Sequence, residues 1–171
     1  MSKDVFLINE FWMLSVMGAF QRANLYRPSI LEIEKVYFRK MLKEYLDNMI
    51  NTIYQNPVGE EEHIGNIKRI SHHTEVNREI LKNGKLIFGV SQKLLNLYLK
   101  YHWCAGWIPE PPHFPVDSII QRKLNLTVIP WTKMTDDLDY RSIIESAKKS
   151  LKKHNCTSLA ELELLLFERN T

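Results

Sequence analysis

The sequence predicts an all-α protein, one compact domain of seven or eight short helices, and three observations carry that expectation. The chain has 171 residues, of which 44% are hydrophobic and 25% charged, enough apolar mass for a single core. It holds only six glycines, and five of its seven prolines crowd into positions 109, 111, 112, 115 and 130, leaving long unbroken stretches on either side. Apolar residues recur at helical spacing, and Ser-x-x-Glu capping boxes stand before two of the stretches.

Taken in order, a first helix covers roughly Val5 to Asn24 and ends at Arg27-Pro28. Ser29 and Glu32 then open a second, with Ile30, Ile33, Val36, Tyr37, Met41, Leu42, Tyr45, Met49 and Ile53 as its apolar positions. It stops before the turn Asn56-Pro57-Val58-Gly59, and a more polar helix runs from Glu60 to Leu81, where Asn83-Gly84 halts it. Ser91 to about Trp103 is the next, followed by the proline-rich loop. Asp117 caps a short helix through Leu124, and Leu126 to Pro130 is extended. Thr135 or Asp136 starts a helix to about Lys153, and Ser158 with Glu161 caps the last. Residues 1–82, 83–124 and 125–171 thus divide into N-terminal helices, a central segment and C-terminal helices.

Several function classes fall away. Two cysteines, Cys104 and Cys156, are too few for a disulfide framework or an iron–sulfur cluster, and without a Cys-x-x-Cys pair there is no zinc ribbon. His63, His72 and His73 lack metallohydrolase spacing, so neither metal nor cofactor is expected. The apolar stretch Val5 to Phe20 is interrupted by Asn9 and Glu10, is too short to span a bilayer, and has no basic flank or cleavage site. The expectation is a cytoplasmic protein with no membrane partner. A net charge of +3 permits a polyanionic partner without requiring one.

Residues 84–124 stand apart. On a helical wheel Gln92, Lys93, Asn96 and Lys100 share one narrow arc, while Leu94, Leu95, Leu97, Tyr98, Leu99, Tyr101 and His102 occupy the rest. That arc is either the wet face of a mostly buried helix or a set of lysines and carboxamides presented to a cleft. Asp117, after Pro115-Val116, has the residue type and position of a helix N-cap.

Together, Gly89-Val90-Ser91-Gln92-Lys93, the apolar helix, and Pro115-Val116-Asp117-Ser118-Ile119-Ile120-Gln121-Arg122 resemble the helix-hairpin-helix DNA glycosylase superfamily over about a quarter of the chain. The resemblance implies a glycosylase-like helical fold, Lys93 as catalytic lysine and Asp117 as catalytic aspartate. It also implies excision of a damaged or modified DNA base, with Schiff-base lyase chemistry at the lysine. The family turn usually reads Leu-Pro-Gly-Val-Gly, whereas Ile87-Phe88-Gly89-Val90-Ser91 stands here. The stretch Phe88 to Tyr101 is also similar to a group of small bacterial proteins of no assigned activity.

The chemistry suits the residue types. A fixed carboxylate stabilises positive charge growing on a sugar as its base departs, and a lysine desolvated by apolar neighbours becomes a neutral nucleophile. Trp103, Trp107, His113 and Phe114 are candidates to hold an extruded base, with core packing as the other reading. For DNA contacts the candidates are Gly89, Ser91, Gln92, Asn96, Lys100, Arg122 and Lys123, and a basic face of Lys148, Lys149, Lys152 and Lys153. The alternative is a non-catalytic module on the same scaffold, binding nucleic acid or a protein partner.

Overall fold

The computed structural model describes residues 2–167. These form α1 (Lys3–Phe20), α2 (Glu32–Thr52), α3 (Glu60–His73), α4 (Phe88–Cys104), α5 (Ser118–Lys123), α6 (Leu138–Lys148) and α7 (Leu159–Leu166). Three 3₁₀ turns, at Thr74–Asn77, Trp131–Lys133 and Lys152–His154, complete the fold, which is all-α as the sequence predicts. An isolated antiparallel bridge joins Tyr26 to Leu81. No helix among the described residues is long and apolar enough to cross a membrane.

Everything is arranged around α4, which packs against α1, α3 and the turn at Trp131–Lys133. Thirteen of its 17 residues are buried, and of the other four only Cys104, at its C-terminal end, is exposed. Against α1 the approach is close because Gly18 carries no side chain: a Cβ there would sit 2.7 Å from Leu97 Cδ1. Phe11 stacks on Tyr101 at 5.7 Å and Trp12 meets the edge of Tyr98 at 5.6 Å, filling the same seam.

Boundaries differ from expectation where a local hydrogen bond or turn overrides the pattern. Ser29 sits at φ +69° and cannot cap α2. The helix begins at Glu32 instead, with Glu34 Oε2 accepting the Leu31 amide at 2.8 Å. Its buried face is Phe38, Leu42, Leu46, Met49 and Ile50, leaving Ile33 and Tyr37 70% and 68% exposed. Two apolar stripes compete on this helix, and the buried one carries Phe38, which meets the rings of Phe20 and Tyr26. Helix α3 stops at His73 because Thr74 Oγ1 donates to Ser71 O (2.8 Å) and accepts the Leu86 amide (2.9 Å), turning the chain back.

Helix α6 ends at Lys148, and Asn155 at φ +54° reverses the chain before α7. Lys148, Lys149, Lys152 and Lys153 therefore do not share one helical face. Asp136 Oδ1 takes the Leu138 amide at 3.0 Å where α6 begins, and Ser158 caps α7 through the Glu161 amide at 3.1 Å, both starts being those the sequence marks.

Candidate active site

The polar arc of α4 faces inward, and buried polar atoms must find partners there. Gln92, entirely buried, donates from Nε2 to Val116 O (2.7 Å) and accepts the Val116 amide on Oε1 (3.1 Å). One carboxamide thereby grips both backbone groups of the residue before Asp117. The next residue along each segment makes the next contact: Lys93 Nζ lies 3.2 Å from Asp117 Oδ2. Asp117 Oδ1 meanwhile accepts the amides of Ile119 (2.8 Å) and Ile120 (3.0 Å), capping α5. The two carboxylate oxygens have separate jobs, one holding a helix end and one holding an amine.

A second buried carboxamide fixes the other wall. Gln121 Nε2 donates to Asp117 O (3.1 Å) and Ile129 O (3.0 Å), and its Oε1 accepts the Ile129 amide (2.7 Å). That sets the path of the chain into Trp131, whose ring centroid lies 4.3 Å from Lys93 Nζ. Gly89 makes this approach possible, since a Cβ there would lie 1.8 Å from Trp131 O. The Gly89 amide donates to Met134 O at 2.9 Å.

Behind Gln92 runs a chain of buried groups. Asn96 Nδ2 donates to Gln92 Oε1 (3.3 Å) and Tyr140 Oη (3.1 Å), and its Oδ1 accepts from His63 Nε2 (2.9 Å). Tyr54 Oη donates to His63 Nδ1 (2.8 Å), and Tyr140 Oη to His113 Nδ1 (3.0 Å). Burial holds both imidazoles neutral, lowering His63 to about 3 and His113 to about 4.

The Lys93–Asp117 pair opens onto a pocket of about 150 Å³ lined by Gly18, Gln21, Arg22, Ser118, Ile119 and Trp131. Burial pulls the Lys93 amine below its ordinary range; Asp117 opposes the shift and the nearby Arg22 charge adds to it. The site thus offers a partly desolvated amine backed by the buried Trp131 indole and a rigid carboxylate, in a volume about that of a cavity known to admit a benzene-sized ring.

Of the residues expected to contact DNA, Gly89, Ser91, Gln92, Asn96 and Lys100 are corrected by their burial, which puts them out of reach of a phosphate. Lys100 pairs with Glu163 at 2.7 Å, Lys123 donates to Leu166 O at 2.7 Å, and Lys148 pairs with Glu60 and Glu145. Arg122, Lys149 and Lys152 remain exposed. The expected base-holding aromatics lie elsewhere too. Trp103, His113 and Phe114 line a separate crevice of about 10 Å³ beside Lys100 and Glu163, room for roughly one water. Trp107 packs on Phe11 and His102.

Sequence reasoning missed Trp131, Arg22 and the two glutamine grips. The stretch Val128-Ile129-Pro130-Trp131 held a signal for the first, a tryptophan following a proline after an extended segment; Arg22 carried none. No protein-family model, no curated protein and no solved structure matches this chain.

Proposed function

We propose that the protein is a base-excision DNA glycosylase with Schiff-base lyase capacity, a short relative of the helix-hairpin-helix superfamily. The observation that carries this reading is the meeting of Lys93 and Asp117 across 3.2 Å at an open pocket walled by Trp131. A structural ion pair gains nothing from such an opening, whereas a nucleophile requires it.

In this reading a damaged nucleotide leaves the duplex and enters the pocket beside Trp131. The Lys93 amine, once neutral, attacks C1′ of the sugar. The N–C1′ bond to lysine forms as the glycosidic bond breaks, the bonding pair leaves on the base, and the amine's proton is passed on to that base. Asp117, held by two amides, faces the positive charge that develops on the sugar. Opening of the C1′–O4′ bond, with proton transfer to O4′, gives the lysine imine, which water hydrolyses. Arg122, Lys149 and Lys152 are the exposed cations available to flanking phosphates.

Borohydride reduction in the presence of an abasic duplex tests the reading. The expected result is a covalent adduct mapped to Lys93 by mass spectrometry and lost in Lys93→Ala. An adduct-free wild-type protein overturns the lyase chemistry. The second reading, a non-catalytic module, is favoured by Asp117 already serving as a helix cap; it predicts salt-sensitive DNA binding that survives Lys93→Ala.

A further inference from the structure

Among the described residues, five of the seven arginines are engaged. Arg27 donates to Leu81 O, Arg69 to Asn66, and Arg39, Arg78 and Arg141 pair with carboxylates. Arg22 is different: no hydrogen-bond or ion-pair partner holds it, and it is exposed in the wall of the Lys93–Asp117 pocket. Arg122 is likewise unengaged but does not line that pocket.

The charges of the pocket do not balance. Its walls carry two cations, Arg22 and Lys93, against one carboxylate, Asp117. Asp117 is committed to Lys93 on one oxygen and to two amides on the other, leaving nothing for Arg22. Gln21 and the Ser118 hydroxyl add neutral donors on the same rim. A guanidinium in this setting matches a phosphate better than an ammonium does, because its planar fork donates two parallel hydrogen bonds. The pocket thus has a ring-sized volume beside an indole, an amine and carboxylate at its centre, and a free fork at its edge.

We infer that Arg22 is the phosphate-holding residue of this site, gripping the phosphate ester attached to the sugar whose C1′ faces Lys93. This rests on the proposed glycosylase reading and deepens it: the ligand is a sugar phosphate rather than a free base or nucleoside, and Arg22 recognises its anion. The C-terminal turn after α1 becomes part of the substrate-binding surface.

Two arms test it. In the first, wild-type protein and Arg22→Gln are reduced with borohydride in the presence of 2-deoxyribose 5-phosphate or 2-deoxyribose, and the Lys93 adduct is quantified. Wild type is expected to trap the phosphorylated sugar at least tenfold better, Arg22→Gln to lose that preference while still trapping both, and Arg22→Lys to recover part of it. In the second, fluorescence anisotropy follows binding to a duplex with one tetrahydrofuran abasic analogue. Arg22→Gln is expected to reduce the slope of log affinity against log salt by about one. A preference for the phosphorylated sugar that survives Arg22→Gln overturns the phosphate assignment while leaving the lysine chemistry intact. A changed preference with an unchanged slope means a free phosphomonoester is the ligand and overturns the phosphodiester. Wild-type protein that traps neither sugar and binds no duplex sinks the glycosylase reading, and this inference with it.

Discussion

Helix α4 carries two buried lysines seven residues apart, and they lead different lives. Lys100 meets both oxygens of Glu163, at 3.0 and 2.7 Å, and lies 3.8 Å from the Phe167 ring centroid. Its surroundings leave a crevice of about 10 Å³. Glu163 is itself buried in α7, and that burial raises its carboxyl above the usual range despite the lysine. Lys93 touches its carboxylate at 3.2 Å, shares that carboxylate with a helix end, and faces a pocket of about 150 Å³. The lesson is that an inward lysine is not by itself a site. What separates the two is the employment of the partner carboxylate and the room beside the amine.

Substitution should separate them in opposite directions for stability and chemistry. The largest effect on stability is expected from Lys100→Met, which leaves Glu163 buried and unpaired at a cost of about 3–5 kcal/mol, read as a lower urea midpoint. Gly89→Ala follows, at about 3 kcal/mol, because the new methyl collides with the Trp131 carbonyl and pushes the indole off Lys93. Gln92→Ala strips both backbone groups of Val116 of their partner, costing about 2 kcal/mol, and should loosen the Lys93–Asp117 contact. An NMR titration of the selectively labelled lysine would show Lys93 moving further below its ordinary value, because the loosened Asp117 contact is what opposes the effect of burial.

The two buried histidines bear on both ends of α4, since His63 backs Gln92 through Asn96 and His113 lines the crevice at Lys100. Their folded-state pKa values, about 3 and about 4, lie below the ordinary 6.5, so the folded protein takes up protons less readily than the unfolded chain. Their stabilisation is present in full above about pH 6.5 and drains away as pH falls toward 4 and 3. Urea midpoints measured across that range should fall, and His113→Gln should flatten the decline. Lys93→Met is expected to be the mildest for stability, about 1 kcal/mol or less, while removing the covalent adduct entirely.

How much of this was legible in the sequence depends on whether the signal was local. Asp117 and Ser158 announced their helices because a cap acts within three residues, and both structural starts follow from it. Lys93 and Asp117 were readable as a pair only through a motif, yet the structure brings them together through an independent device, the Gln92 grip on Val116. The polar arc of α4 was readable only as two alternatives, because amphipathic patterns separate wet from dry, and here the carboxamides are dry but satisfied by His63, Tyr140 and Val116 while Lys93 lines a pocket. The lysines from 148 to 153 were misplaced because the pattern does not register that α6 stops at Lys148 and that Lys152 and Lys153 belong to a separate 3₁₀ turn. Arg22 and Trp131 were invisible as site residues because tertiary contacts alone bring them to Lys93.

The split duty of Asp117 has a consequence for the usual isosteric swap. An asparagine at 117 must keep its oxygen toward the Ile119 and Ile120 amides, or the end of α5 comes loose. Its NH₂ group is then obliged to face Lys93, setting donor against donor. The carboxylate is therefore a polarised clip with a defined front and back, and Asp117→Asn would turn an attractive contact into an ejecting one while the helix it caps stays in place.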